Sequence, residues 1–161
     1  MFLKSLTISS NSSVIREIIF HNGINLIVDE TPTSKGKETG NNVGKTTVLM
    51  LIDFCLGANG RSIYTDPENK KEEYKLVKDF LFNERVLIKL ILTEDLNEEP
   101  SAEICIERNF LSRKEKIQRI NGEDKTDKEF DETLTNFLFP GHYGKKPTFR
   151  QIISHTLFLR K

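Results

Sequence analysis

The chain has 161 residues with 24 basic and 24 acidic side chains, so its formal net charge is zero. A chain of this size buries roughly 70% of its unfolded surface, enough for one domain with its own core, and balanced charge supplies no overall field to attract nucleic acid or a membrane. No uninterrupted apolar run approaches the ~20 residues of a membrane span, and Met1-Phe2-Leu3-Lys4 opens into a strand-like alternation rather than a secretory leader, so a soluble cytoplasmic protein with no membrane partner is expected.

In chain order, Phe2, Leu3, Leu6 and Ile8 precede the polar run Ser9 to Ser13. Val14 to Phe20 follows, and the two stretches read as the strands of a hairpin. His21-Asn22-Gly23 turns the chain. Ile24 to Val28 is nearly all apolar, the pattern of a short strand buried on both faces in the middle of a sheet. From Asp29 to Asn42 the sequence is loop-like. Its Pro32, Ser34, Lys35, Gly36, Lys37 and Glu38 build no core, which leaves either a flap beside the next motif or a surface insertion.

That motif is Asn41-Asn42-Val43-Gly44-Lys45-Thr46-Thr47. A strand, a flexible turn and then a helix N-terminus is the order required to cradle phosphates with backbone N–H groups. Gly44 lets the main chain approach without a Cβ, Lys45 places a compact ammonium on the β and γ phosphates, and Thr46 is the expected Mg²⁺ ligand. ATP with Mg²⁺ is therefore the expected ligand. One departure stands out: the usual Walker A spacing of Gly, four residues and Gly-Lys-Ser/Thr puts its first glycine on Thr39, with Gly40 the nearest glycine. Either Gly40 serves in a loop one residue tighter, or Asn41 and Asn42 take left-handed conformations, which asparagine tolerates.

Lys45 to Leu56 is apolar almost all round and closes on Gly57, so a buried helix with a glycine C-cap is predicted. Asp66 to Glu73 is charged and contains a breaker, as an exposed loop does. Tyr74, Val77, Phe80 and Leu81 recur at helical spacing. Three strands are predicted over Arg85 to Thr93, Ala102 to Asn109 and Lys116 to Ile120, the last followed by the turn signal Asn121-Gly122, and together they read as an antiparallel meander. Glu94-Asp95 follows an apolar run, as a Walker B pair would, but Lys89 interrupts that run and the acids sit in a turn-like stretch. A solvated hairpin end fits them better. Thr126-Asp127-Lys128-Glu129 and Thr148-Phe149-Arg150-Gln151 are capping boxes for two final helices. The first carries Phe130, Leu134, Phe137 and Leu138 on one face, and the second Phe149, Ile152, Ile153 and Leu157. Cys55 and Cys105 lie singly in apolar stretches and read as two reduced core thiols, while His21, His142 and His155 share no metal spacing.

The run Ile15 to Val28, the loop Asn41 to Thr47 and the helix end Phe54-Cys55-Leu56-Gly57 together resemble the N-terminal lobe of an SMC, RecN or RecF-type ATPase head. Gln118 to Gly122 resembles the strand and turn that in such heads precede a helix like Asp127 to Leu138. The resemblance implies an α/β P-loop NTPase half-domain of the ABC-head type, with a mixed or antiparallel sheet and a buried P-loop helix. It also implies a split enzyme in which residues 1–161 form one lobe, a coiled coil intervenes, and a C-terminal lobe of the same or a partner chain supplies the acidic pair. ATP would then be sandwiched against a second head in an ATP-dependent dimer. Such machines act on DNA in repair, chromosome maintenance or mobile-element defence, and the isolated lobe is expected to bind nucleotide without efficient hydrolysis. By position, Gln151 resembles the glutamine that senses the γ-phosphate, although it can equally cap its own helix. Arg61 resembles an arginine that reaches toward nucleotide or DNA, and a plain solvated arginine is the alternative. Two other classes compete: a non-catalytic assembly module with a degenerate P-loop, supported by Thr39, and a self-contained small P-loop kinase or GTPase, which would need its own acidic Mg²⁺ ligand at a strand end.

Overall fold

The structure is a computed structural model that describes residues 1–11, 13–28, 44–97, 102–142 and 146–156. Strand β1 (Phe2–Ser9) pairs antiparallel with β2 (Val14–Ile19) on one edge and with β3 (Leu87–Thr93) on the other. From β3 the sheet runs on through β4 (Glu103–Asn109), β5 (Gln118–Ile120) and β6 (Glu123–Asp124), giving the order β2-β1-β3-β4-β5-β6 with every pairing antiparallel. The predicted hairpin and meander both form, because each strand alternates side chains between two faces and needs only its sequence neighbour to pair. Asn121 and Gly122 have φ of 51° and 81°, the two positive values that a two-residue hairpin turn requires between Ile120 and Glu123.

Two strand starts lie later than the alternation suggests. Arg85 has φ 50° and its N–H donates to Phe82 O, so it closes the preceding helix and β3 begins at Leu87. Before β5, Arg113–Glu115 forms a 3₁₀ turn clamped by the buried Asn109, whose amide donates to Glu115 O at 2.7 Å and accepts from Ile117 N at 2.7 Å.

One face of the sheet carries the core, with Leu6, Ile88, Leu90, Ile104, Ile106 and Ile120 all buried. Helix α1 (Lys45–Cys55) packs there through Val48, Leu51, Ile52 and Cys55, beside α4 (Asp127–Leu138) through Phe130 and Leu134 and α5 (Phe149–Thr156) through Phe149 and Ile153. On the other face the register aligns Glu17, Thr7, Lys89, Glu107 and Arg119 in one cross-strand row. Opposite charges alternate along that row, which suits a sheet face that meets water.

The clearest correction concerns residues 24–28. They form no strand, and Ile24, Leu26 and Val28 are 88%, 79% and 63% exposed. A strand exists only through a neighbour's backbone, and both edges of β1 are already taken by β2 and β3. Among the described residues no strand lies alongside 24–28. Instead, the Asn25 side chain accepts from His21 N and donates to His21 O, holding a turn. The apolar pattern is real, but the surface that would cover it is missing from the described residues.

Three smaller corrections follow. Helix α1 is not buried all round, because Leu49 is 42% exposed on one flank. Helix α3 (Lys75–Asn83) buries only Leu81, while Tyr74, Leu76, Val77 and Phe80 are exposed. Cys105 lies half-buried on β4, where it faces away from Ile104 and Ile106, and so it is no core thiol; Cys55 is fully buried. Among the described residues no helix is long and apolar enough to cross a membrane.

Candidate functional site

The site is built on the two ends of α1. At its N-terminus Gly44 adopts a left-handed conformation, φ 72° and ψ 16°, and its carbonyl accepts the first helical hydrogen bond from Val48 N at 3.1 Å. Among the described residues no side chain caps this end, and no acidic residue lies in the first turn. The first-turn N–H groups of a helix have no partner within it, and the helix dipole adds partial positive charge there. Thr46 and Thr47 stand exposed at this turn, with Thr47 Oγ1 3.8 Å from where a Gly44 Cβ would be. Asn41, Asn42, Val43 and the preceding loop with Thr39 and Gly40 lie outside the described residues, as does the Lys45 side chain.

The C-terminus of α1 is closed far more heavily. Ala58 N donates to Asp53 O and Gly57 N to Phe54 O, both at 3.0 Å, with Gly57 at φ 94°, so the glycine cap predicted from sequence forms as a Schellman motif. Two arginines complete it. Arg108 on β4 donates through Nη1 to Phe54 O and, at 3.0 Å, to Ala58 O, while Arg150 on α5 donates through Nη1 to Leu56 O at 2.9 Å and to Asp53 Oδ1 at 2.8 Å. Cations at a helix C-terminus complement its negative end and satisfy carbonyls that have no intrahelical donor. Burial pulls the Arg108 pKa below its ordinary value, and its Cζ lies 4.3 Å from the Phe54 ring centroid. Gly60 lies under the stacked rings of Phe54 and Phe110, where a Cβ would meet both at 3.0 Å.

These two ends are separated by the helix itself, about 16 Å for eleven residues. Arg61 opens the short helix α2 (Arg61–Tyr64), which follows the C-terminal end, and lines a groove of about 360 Å³ with Gly57, Asn59, Tyr64, Arg108 and Phe110. Its guanidinium pairs with Glu73 at 3.4 Å. Gln151 belongs to the first turn of α5, where it accepts from Thr148 N at 2.8 Å and its own N–H donates to Thr148 Oγ1 at 3.3 Å, so it caps its own helix. The structure thus brings Gly44, Thr46 and Thr47 together at one end of α1 and places Arg61 and α5 at the other. The decoy pair Glu94-Asp95 occupies a hairpin end, with Glu94 N donating to Ala102 O. A larger groove, about 830 Å³, opens at the end of the sheet among Arg85, Arg113, Arg119 and the start of α4, and none of its lining residues comes from α1.

Sequence reasoning missed Asp53, Arg108 and Arg150 as a unit. Their partners lie 50 or more residues away, and no local spacing announces such contacts. A charged residue inside an apolar helix, as Asp53 is, was the one available signal.

No family model matches the chain, and no curated protein matches it. Among solved structures, the chain is similar to one described as "Structural biochemistry of ATP-driven dimerization and DNA stimulated activation of SMC ATPases". That similarity covers 86% of this chain and 80% of the other, at 15% sequence identity and a TM-score of 0.48. The likeness is a distant one of fold.

Proposed function

We propose that the chain is the ATP-binding lobe of an SMC- or RecN-like ATPase head, completed for hydrolysis by a C-terminal lobe and by pairing with a second head. The observation that carries this reading is the N-terminus of α1: a left-handed Gly44 and no first-turn carboxylate, directly before Lys45-Thr46-Thr47, with no side-chain cap among the described residues. That end fits a phosphate group. Its first-turn N–H groups have no partner within the helix, and a carboxylate there would have opposed an anion. Asn41 to Thr47 would hold the phosphates, with Lys45 as the cation and Thr46 as the Mg²⁺ ligand. Bound Mg²⁺ would neutralise phosphate charge during transfer to water.

The missing cover on Ile24, Leu26 and Val28 supports the split arrangement. An apolar segment upstream of the phosphate loop would gain neighbours from strands of a complementing lobe, as its both-faces-buried pattern requires. DNA enters this reading as the substrate on which the assembled machine acts. A self-contained kinase or GTPase gains no support from Glu94 and Asp95, which follow β3 at a hairpin end where Glu94 N donates to Ala102 O.

Calorimetric titration of the chain with ATP and Mg²⁺ tests the proposal. Weak binding is expected, abolished in Lys45→Ala while circular dichroism stays unchanged. Absence of heat at millimolar ATP would favour an assembly module, and brisk turnover by the lobe alone would favour a self-contained enzyme.

A further inference from the structure

We infer that Arg150 is a positioning residue that couples occupancy of the Gly44 turn to the docking of α5 on the end of α1. This rests on the nucleotide reading above and adds a route by which binding is felt outside the site.

The geometry has three parts. Helix α1 is a single rod with the phosphate turn at its start, so a displacement or reorientation at Gly44 is carried along its axis to Asp53 and Leu56. At that far end three carbonyls are held from outside the helix ladder: Asp53 O by Ala58, Phe54 O by Gly57 and Arg108, and Leu56 O by Arg150. The Arg150 Nη1 contacts, to Asp53 Oδ1 at 2.8 Å and to Leu56 O at 2.9 Å, join α5 directly to this rod. Phe149 and Ile153, both buried, also anchor this helix of eight residues.

The two arginines differ in what they can transmit. Arg108 sits on β4 in the middle of the sheet, pinned by neighbouring strands on both sides. Arg150 sits in the first turn of a short helix, so it can follow α1 or release it. The Arg150 stem packs closely over the Gly57 cap, where a built Cβ would lie 3.2 Å from Arg150 Cδ and 3.5 Å from Asp131 Oδ1, so a shift of the cap is felt by the arginine. A phosphate at the N-terminus and a guanidinium at the C-terminus both favour the same helix dipole and the same α1 position. By linkage each must strengthen the other.

Hydrogen exchange of the full chain with and without ATP and Mg²⁺ tests this, with ATP affinity measured alongside by calorimetry. In the wild-type chain ATP should slow exchange in residues 149–156 several-fold. In Arg150→Gln, and separately in Asp53→Asn, which leaves the arginine and its carbonyl bond in place, ATP should still bind, about three- to tenfold more weakly. It should still protect α1, yet leave 149–156 unaffected. Arg150→Lys should restore part of the effect. A purely structural role would raise exchange in 149–156 equally with and without ATP and preserve the nucleotide-dependent difference; that result overturns the inference. So does a wild-type chain that binds ATP without protecting α5. Failure of the wild-type chain to bind ATP at all would instead remove the nucleotide reading, and the coupling with it.

Discussion

Arg108 holds the last turn of α1 and the turn beyond it at once: its Cζ lies 4.3 Å from the Phe54 ring centroid while Nη1 donates to Ala58 O at 3.0 Å. One side chain from the sheet thereby covers an aromatic ring of α1 and ties down the turn beyond the helix. Arg108→Met would keep most of the apolar stem but take the guanidinium donor from Ala58 O and one of two donors from Phe54 O. We expect a loss of about 2–4 kcal/mol, read from urea denaturation, with ATP affinity reduced only in proportion to unfolding.

Gly57 and Gly60 are three residues apart and should fail for different reasons. Gly57→Ala places a side chain at φ 94° against the Arg150 stem, a backbone penalty of about 1–2 kcal/mol. Gly60 has φ −65°, so alanine suits its backbone but would drive a methyl into Phe54 and Phe110, an overpacking cost of about 1–3 kcal/mol. Trimming the obstacle separates them. Phe110→Leu should rescue Gly60→Ala in thermal melts and leave Gly57→Ala uncorrected.

Acid should loosen the start of α4 first. Hydrogen bonds from Lys116 and then Gln118 hold the Asp127 carboxyl below its ordinary value, and the Thr126 hydroxyl and N–H do the same for Glu129. Both folded pKa values are depressed, so their stabilisation is present above the unfolded carboxylate range near ~4 and is lost as pH falls through the folded values. Melting temperature between pH 6 and pH 3 should therefore drop less steeply in the Asp127→Asn, Glu129→Gln double variant than in the wild-type chain. An unchanged slope would show that these groups do not govern the acid transition.

The two thiols should separate under alkylation. Burial pushes Cys55 from 9.0 up to about 12, with the nearby Arg108 charge opposing the shift, whereas Cys105 is only half-buried on the sheet and its pKa is raised less completely by burial. At pH 8 a thiol reagent should label Cys105 in the folded chain and Cys55 only after denaturant. For Cys55 the raised folded value means that stability from the neutral thiol is intact below pH 9.0 and is lost progressively as pH rises toward 12. Chemical denaturation of wild type and Cys55→Ala between pH 8 and pH 11 would reveal that slope.

Leu26→Lys addresses the uncovered segment. Leu26 is 79% exposed and belongs to no strand, so the lobe alone should change stability by no more than about 0.5 kcal/mol. Its self-association at high concentration, measured by sedimentation, should fall. On the proposed split arrangement, binding to a complementing C-terminal lobe should fall as well.

Much of this protein can be read without coordinates, and the reason is range. The hairpin β1–β2, the meander β3–β4–β5, the Asn121-Gly122 turn, the Thr126–Glu129 capping box and the Gly57 cap each depend on residues within a few positions of one another. Alternation, turn chemistry and caps are local physics, so the chain states them directly. The start of α1 directly after Gly44 belongs to the same class.

What the tertiary structure alone decided is long-range. The burial pattern of Ile24 to Val28 declares a need for neighbours but cannot say whether they exist, and both edges of β1 go to β2 and β3 instead. Tyr74, Val77 and Phe80 have helical spacing, yet periodicity does not say which face of α3 meets the core. The joining of Asp53, Arg108 and Arg150 at the end of α1 spans as many as 97 positions, and it arises only once β4 and α5 are packed against that helix. Side-chain demand is written in sequence; the partner that meets it is supplied by packing.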